Sequence, residues 1–566
     1  MIFVVNDTII VDDTIIVDDT IKKTTYYDSL NRAIRISTIG LNGELICEDS
    51  FYDSSGQLVK QSMPHKLYSE IPKYKVFEYD ILNREINKTE LYEKGTSISA
   101  EYYGNKLVQK DGMGRLRIST TNILGQVISV EDAYGTIAYY DYDYSGNLLK
   151  MIDPQGITIS MTYNVNNQKL SINDPLKGSV NYVYNSFDEL MSSKVKNGPE
   201  IIFERDSLGR MKRRIETEGE TKWEYDNSIN GIGKLSKTIG PNDYYSEMKY
   251  DNISRLVEQF FQYDKAVNFT VNTQYDRLGR IILQNYPSNE KIYQCYNSYG
   301  YLFAVSSNDS SCNSYSWKIL DSDARGNIRQ EMYGNNIVTD STYNAAFQVS
   351  KITSHLNYNV LRKLEYEYDR RQNLILKNDY DFRGIIYRQK YEYDLLNRII
   401  STTSYENKEQ IQGESSSWMY DPIGNLIFVH DKSERFFKYN ETNPQQAIQI
   451  GSESLKYDNF GNVIETDSYL VNWYSFSKAK LIKTNNQSTI SYKYGPERDL
   501  IAKYILNGTV QTTIYYVGNI YEKWIINSSE NVQIIEKYHS RVLEKIVLTK
   551  TVVNNLKINT SSSAIV

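Results

Sequence analysis

The sequence predicts an all-β fold, a serial array of antiparallel β-hairpins, on three observations. A short motif returns throughout the 566 residues: tyrosine, an acidic residue, two variable positions, then Gly or Asn, usually followed by Arg or Asn. Four copies are nearly identical: Tyr27-Asp28-Ser29-Leu30-Asn31-Arg32, Tyr79-Asp80-Ile81-Leu82-Asn83-Arg84, Tyr275-Asp276-Arg277-Leu278-Gly279-Arg280 and Tyr393-Asp394-Leu395-Leu396-Asn397-Arg398. The flanks of the motif alternate in polarity with period two, and no strong amphipathic helical pattern interrupts residues 23–545. Looser copies at Tyr52, Tyr142, Tyr250, Tyr368, Tyr420 and Tyr457 give a spacing of roughly 20 to 27 residues, the mark of an array of similar supersecondary units.

Residues 1–22 form a low-complexity segment. Asp7-Thr8-Ile9-Ile10-Val11-Asp12 recurs from Asp13 to Asp18, and a third copy starts at Asp19. A tolerated terminal duplication is the expectation, with an acidic calcium-binding tract as the alternative. No basic start followed by an unbroken apolar run is present, so no signal peptide is read in this segment.

Residues 23–545 are the array. Aspartate at the first turn position accepts hydrogen bonds from backbone two residues on, and Gly or Asn three residues later tolerates the left-handed conformation. Together these specify a type I turn followed by a bulge residue, a common hairpin connection. Before one turn Leu364, Tyr366 and Tyr368 share a face opposite Glu365 and Glu367; after another, Leu116, Ile118 and Thr120 oppose Arg115, Arg117 and Ser119. Arg205-Asp206-Ser207-Leu208-Gly209-Arg210 lacks the tyrosine but keeps the turn chemistry. Residues 546–566 read as a polar tail.

Composition narrows the class. There are 51 tyrosines against 16 phenylalanines and 5 tryptophans, so most aromatic mass carries a hydroxyl that wants water or a partner. A sheet wetted on both faces is expected, with rings stacked across strands and hydroxyls in solvent, instead of a dry oily core. The 64 basic and 70 acidic residues form no dense basic block, which argues against nucleic acid as a partner. No apolar run is long enough to span a bilayer as a helix.

Catalytic, cofactor and metal sites are each expected to be absent. Asp141–Gly146 and Asp321–Gly326 resemble the start of a calcium loop, but Ile152 and Met332 stand where a bidentate Glu is required. Gly231-Ile232-Gly233-Lys234 lacks the earlier glycine and the Ser/Thr of a phosphate loop. His65, His355, His430 and His539 are scattered, without zinc-ligand spacing. Cys295 and Cys312 lie close enough to pair, but with Cys47 making an odd count, free thiols are expected.

The repeated Tyr-Asp turns are similar to the YD repeats of Rhs proteins, a family that includes bacterial polymorphic toxins, insecticidal toxin-complex subunits and the animal teneurins. Further stretches resemble family landmarks in order: Ser62-Met63-Pro64, Trp223–Asp226 leading to Gly231–Leu235, Tyr286-Pro287-Ser288, Asp323–Asn327 and Tyr515–Glu522. The resemblance covers roughly residues 23–545 and implies a spiralling YD-repeat shell, closed or incomplete, that encloses a toxic polypeptide. It implies as partner a toxin or another shell subunit, and a secreted or cell-surface location. The self-cleaving core of cargo-processing members is not recognisable after Tyr538-His539. Two other readings stand beside the shell: a teneurin-like module in which exposed Trp317, Trp418 and Trp473 recognise a glycan or receptor, and a truncated, inactive remnant.

Overall fold

The computed structural model describes residues 2–5, 8–11, 23–90, 97–196, 198–265, 267–287, 289–307, 309–407, 409–411, 414–528, 532–542, 545–554 and 561–562. Among these residues there is no helix, and strands pair antiparallel with their neighbours in sequence. The fold class read from the motif is the fold observed.

The turns have the predicted chemistry. At Tyr27-Asp28, the amide of Asn31 donates to the Asp28 carbonyl at 3.0 Å and the amide of Asp28 donates to the Arg32 carbonyl at 3.0 Å. One carboxylate oxygen, Asp28 Oδ1, accepts from the amides of Leu30 and Arg32, both at 2.9 Å. Asn31 closes the turn at φ 61°, the left-handed region where Asn and Gly are favoured. The bulge falls at the tyrosine: Tyr27 pairs with Ala33, and the same register shift precedes Tyr52, Tyr79, Tyr275 and Tyr393. The extra residue increases local twist and fixes which side chains follow on each face.

Many strands are solvated on both faces, whereas others, such as Leu235–Ile239 and Tyr245–Tyr250, bury alternate residues. Every residue of Val127–Glu131 and of Thr489–Tyr494 is half-buried, without the in/out alternation of a sheet packed on a core. In the N-terminal segment Thr8–Val11 pairs with Ile2–Val5 and with residues 25–27. The second and third copies of the tandem repeat lie outside the described residues. At the other end the ladder runs on past residue 545, because Lys545–Asn554 pairs with Val532–Val542, so part of the expected polar tail is strand.

The chain forms two compact units, the first comprising Met1–Tyr139, Cys295–Ser306 and Ser311–Glu434, the second Tyr140–Gln294, Ser307–Ser310 and Arg435–Val566. In each, hairpins far apart in sequence meet edge to edge. Antiparallel alternation puts the motif turns on one edge of the strands and the connecting turns on the other.

In the first unit connecting turns of early hairpins meet motif turns 255 to 282 residues later. Asn297 Nδ2 donates to the Leu41 carbonyl at 2.7 Å, and Arg115 Nη1 to the Leu395 carbonyl at 2.7 Å. Lys66 Nζ lies 2.9 Å from Glu44 and 3.4 Å from Asp321. In the second unit the separation is 229 to 292 residues. Glu218 accepts from the amide and the hydroxyl of Ser475, each at 2.6 Å, and Arg214 Nη2 donates to the Pro496 carbonyl at 2.7 Å.

Full burial is concentrated near such meetings. Tyr263, Phe269, Tyr286, Tyr515, Tyr521 and Tyr538 form a buried aromatic cluster in the second unit, with ring centroids 5.6 Å apart for Phe269 and Tyr521 and 5.9 Å for Tyr286 and Tyr538. Tyr263 and Tyr286 donate their hydroxyls to the carbonyls of Tyr516 and His539 at 3.1 and 3.0 Å.

Two glycines separate strain from crowding. Gly279 holds φ +80° with open space where a Cβ would sit, whereas at Gly461, φ +77°, a Cβ would lie 2.8 Å from the Leu176 carbonyl oxygen. Gly279→Val is expected to lower stability by about 1–2 kcal/mol through backbone strain alone. Gly461→Val is expected to cost more, because Leu176 must also move; chemical denaturation of the two variants measures the difference.

Candidate functional site

The repeated motif is itself the built site of this molecule, and it works between repeats as well as within them. Most motif tyrosines that follow another repeat donate their hydroxyl to the carbonyl of the first strand residue after the previous turn. Tyr52 reaches Ala33 at 3.1 Å, Tyr79 reaches Leu58 at 3.0 Å, Tyr275 reaches Leu256 at 2.8 Å, and Tyr393 reaches Leu374 at 2.8 Å. The hydroxyls were expected in solvent; they are backbone-bonded instead, because the bulge leaves that carbonyl facing the next tyrosine.

The arginine closes the circuit. Arg255 Nε donates to Asp251 Oδ2 at 2.7 Å, its guanidinium lies 4.9 Å from the Tyr275 ring centroid, and Nη1 donates to the Asp276 carbonyl at 2.7 Å. Arg398 repeats the arrangement with Asp394 at 2.5 Å, the Tyr420 ring at 4.6 Å and the Asp421 carbonyl at 3.4 Å. A planar guanidinium satisfies all three partners at once; an ammonium has no such fork. One motif therefore shapes its own turn and grips the next.

The titration of these groups reflects the circuit. The carboxyls of Asp28, Asp80 and Asp251 are held below the usual range, first by the backbone N–H of the arginine four residues on and also by its side chain. Burial pushes up the hydroxyls of Tyr275, Tyr368 and Tyr393.

Two landmarks, Ser62-Met63-Pro64 and Asp323–Asn327, are brought together in the first unit. Met63, Pro64, His65, Asp323 and Ala324 line a cleft of about 600 Å³ with Phe347 at its side. Beneath it, Ser62, His65 and Asp49 are buried together, a cluster the sequence spacing did not suggest. Its geometry is structural: Ser62 Oγ accepts from the Asp49 amide at 2.7 Å, and His65 Nδ1 lies 3.1 Å from the Met63 carbonyl, leaving 3.5 Å to Ser62. A serine nucleophile needs access and a base free to take its proton, and neither condition is met.

The remaining sequence candidates are dispersed. Asp143 Oδ1 accepts from the amides of Ser145 and Asn147 at 2.9 and 2.8 Å, and Asp323 serves Arg325 and Asn327 in the same way, so both calcium-like segments are ordinary motif turns. Gly233 donates its amide to Asp226 in the turn before Leu235–Ile239. The four histidines lie apart, each beside a carboxylate: His65 by Asp49, His355 by Asp340, His430 by Glu434 and His539 by Glu522.

Two expectations are corrected. Cys295 and Cys312 form a disulfide with Cα atoms 6.2 Å apart, since the segment before Trp317 folds back onto Lys291–Tyr296; only Cys47 is free, and it is buried. The tryptophans are not exposed platforms. Trp317 is fully buried with Nε1 donating to Glu331 at 2.8 Å, Trp473 donates to the Val463 carbonyl at 2.8 Å, and Trp418 is half-buried.

An antiparallel ribbon of hairpins, stitched by Tyr-Asp turns and solvated on both faces over many of its strands, defines a YD-repeat shell protein. The chain belongs to the teneurin YD-shell family, whose model matches residues 140–538. The fold matches solved toxin-complex structures: a crystal structure of TcdB2-TccC3-Cdc42 at TM-score 0.82 and 14% identity over 95% of this chain, and one of TcdB2-TccC3 at TM-score 0.81 and 15% identity over 95%. The Tc holotoxin pore of Photorhabdus luminescens matches at TM-score 0.80 and 14% identity over 94%. The chain spans about a third of each of those chains, 32%, 33% and 32% respectively. No curated protein sequence matches it.

Removing one hydroxyl tests the stitch. Tyr275→Phe leaves the Leu256 carbonyl without that donor and is expected to cost about 1 kcal/mol in denaturant unfolding, while Tyr144→Phe, on a fully exposed ring, changes nothing measurable.

The pH dependence follows from the shifts. The Asp carboxyls titrate lower when folded than their ordinary value of 3.8, so their contribution is present above that pH and lost as pH falls through the folded value. The tyrosines titrate above their ordinary 10.0, so theirs is complete below pH 10 and lost above it. Thermal melting across pH should therefore show a plateau with steep loss below about 4 and above about 10.

Proposed function

We propose that this chain is a non-catalytic shell segment that encloses a polypeptide cargo, and that it acts outside the cell that makes it. The observation that carries this reading is the solvation of many of the strands on both faces. A ribbon held together along its own length by tyrosine hydroxyls and arginine forks needs little apolar filling away from its buried clusters, which suits a wall around an aqueous space. The family match and the toxin-complex neighbours support it, and the chemistry of the motif residues supports a structural role: each Asp, Arg and Tyr of the repeat is engaged in turn or stitch. The cargo reading follows the toxin-complex neighbours, and a toxic polypeptide is its expected class.

Cryo-electron microscopy of the purified chain is expected to show a body with a solvent-filled interior. A solid particle without internal space overturns the enclosing role.

A further inference from the structure

The motif turn Tyr368-Asp369-Arg370-Arg371-Gln372-Asn373 departs from the repeat in three places. Its sixth position is Asn373 instead of arginine, and Asn373 Nδ2 donates to Asp369 Oδ2 at 3.0 Å, the oxygen that binds arginine in the turns of Arg255 and Arg398. The stitch to the following turn is made from the fourth position, where Arg371 Nη1 donates to the Asp394 carbonyl at 3.2 Å. Gln372 holds the left-handed position at φ 66°, where the four closest copies of the motif carry Asn or Gly.

The consequence is electrostatic. An arginine that stitches forward from the sixth position has its counter-charge in hand, because the aspartate of its own turn binds the same guanidinium. Arg371 stitches without one. Asp369 is filled by the amides of Arg371 and Asn373, at 2.8 and 2.9 Å, and by the Asn373 side chain. Arg371 Nε is buried and finds no acceptor, a deficit that is costly on a cation and that a bound anion removes.

Two further cations gather there. In the first unit Arg370, Arg371 and Gln372 line a cleft of about 240 Å³ together with Lys88, on the strand Glu85–Glu90, and with Asp111 and Arg115. The acidic groups of the cleft are already engaged. Asp111 accepts from the amides of Met113 and Arg115, both at 3.0 Å, and from Arg115 Nε at 2.5 Å, while Glu90 lies 3.7 Å from Lys75. Among the described residues none of Lys88, Arg370 and Arg371 is paired with a carboxylate. Three such cations at one small cleft repel one another, in a chain whose formal net charge is -6, and an anion between them reverses the sign of the interaction. The volume falls below the range of about 300–1,000 Å³ usual for clefts that take organic ligands, but it suits a small oxyanion.

We propose that Arg371, Arg370 and Lys88 form a binding site for an oxyanion, a free sulfate or phosphate or the carboxylate of an acidic side chain. Arg371 supplies a planar fork and the other two supply charge.

Isothermal titration of the full chain in dilute Tris-chloride tests the site with two probes, inorganic sulfate and a blocked Gly-Glu-Gly peptide. Saturable binding at one site is expected, and the probe that binds more tightly tells a free oxyanion from an acidic side chain. Lys88→Gln with Arg370→Gln is expected to weaken binding about tenfold for each charge removed. Neither side chain holds another by a hydrogen bond or ion pair, so the melting temperature of this variant without sulfate or peptide is expected to be unchanged or higher. Arg277→Gln, at the exposed equivalent of Arg370 in another turn, is expected to leave the affinity as it was. Failure of both probes to bind overturns the proposal, as does binding that the Lys88/Arg370 change leaves intact.

Discussion

The structure depends on one hydrogen bond made many times, from a tyrosine hydroxyl to the backbone carbonyl just past the preceding motif turn. A β-bulge leaves that carbonyl outside the ladder, and an unpaired, half-buried carbonyl is costly. The next repeat supplies the donor from a tyrosine ring at the end of the directly paired neighbouring strand, as Tyr275 does to Leu256 and Tyr420 to Ile399. Phenylalanine would fill the same space without the bond. This explains why 51 tyrosines accompany only 16 phenylalanines in a chain with few fully buried side chains. Cohesion is directional and local, passed from each hairpin to the next, instead of being pooled in a central core.

Much of the fold was legible because turn chemistry is short-range. Asp28 meets amides two and four residues on, and Asn31 needs only its own backbone to be left-handed, so six residues of sequence specify both. The stitch was not legible in the same way. The acceptor of a motif tyrosine lies 10 to 21 residues back, at Ala447 for Tyr457 and Leu58 for Tyr79, a distance set by strand lengths that vary from repeat to repeat. The arginine looked like a turn residue, yet half of its bonds fall on the following repeat.

Trp317 and Cys312 were misjudged for a related reason. The partner of each is set by how a connecting segment folds back: Glu331 lies across the ladder from the tryptophan, and Cys295 sits on a strand that the loop revisits. Composition assigns hydroxyls and thiols a preference, but not an address. The Ser62, His65 and Asp49 cluster shows the converse, since three residue types that suggest chemistry are brought together only to satisfy one another beneath a landmark proline.

The motif also separates shape from identity. Its Asp, its Gly or Asn, its Arg and its Tyr fix the geometry of the turn, while the two positions between Asp and Gly take no part in closing it through their side chains. Those positions are free to answer to whatever lies beyond the edge: proline where the tip is buried at Pro496, phenylalanine where a glycine leaves room at Phe460, tyrosine and valine where the tip stands open at Tyr144 and Val165. Apolar tips at open and covered turns alike cannot be explained by turn formation, because Ser54 and Ser55 close an equivalent turn without them. An edge built this way is uniform in backbone and variable in surface, so successive turns can stack on different partners without any change in how the hairpins themselves are made.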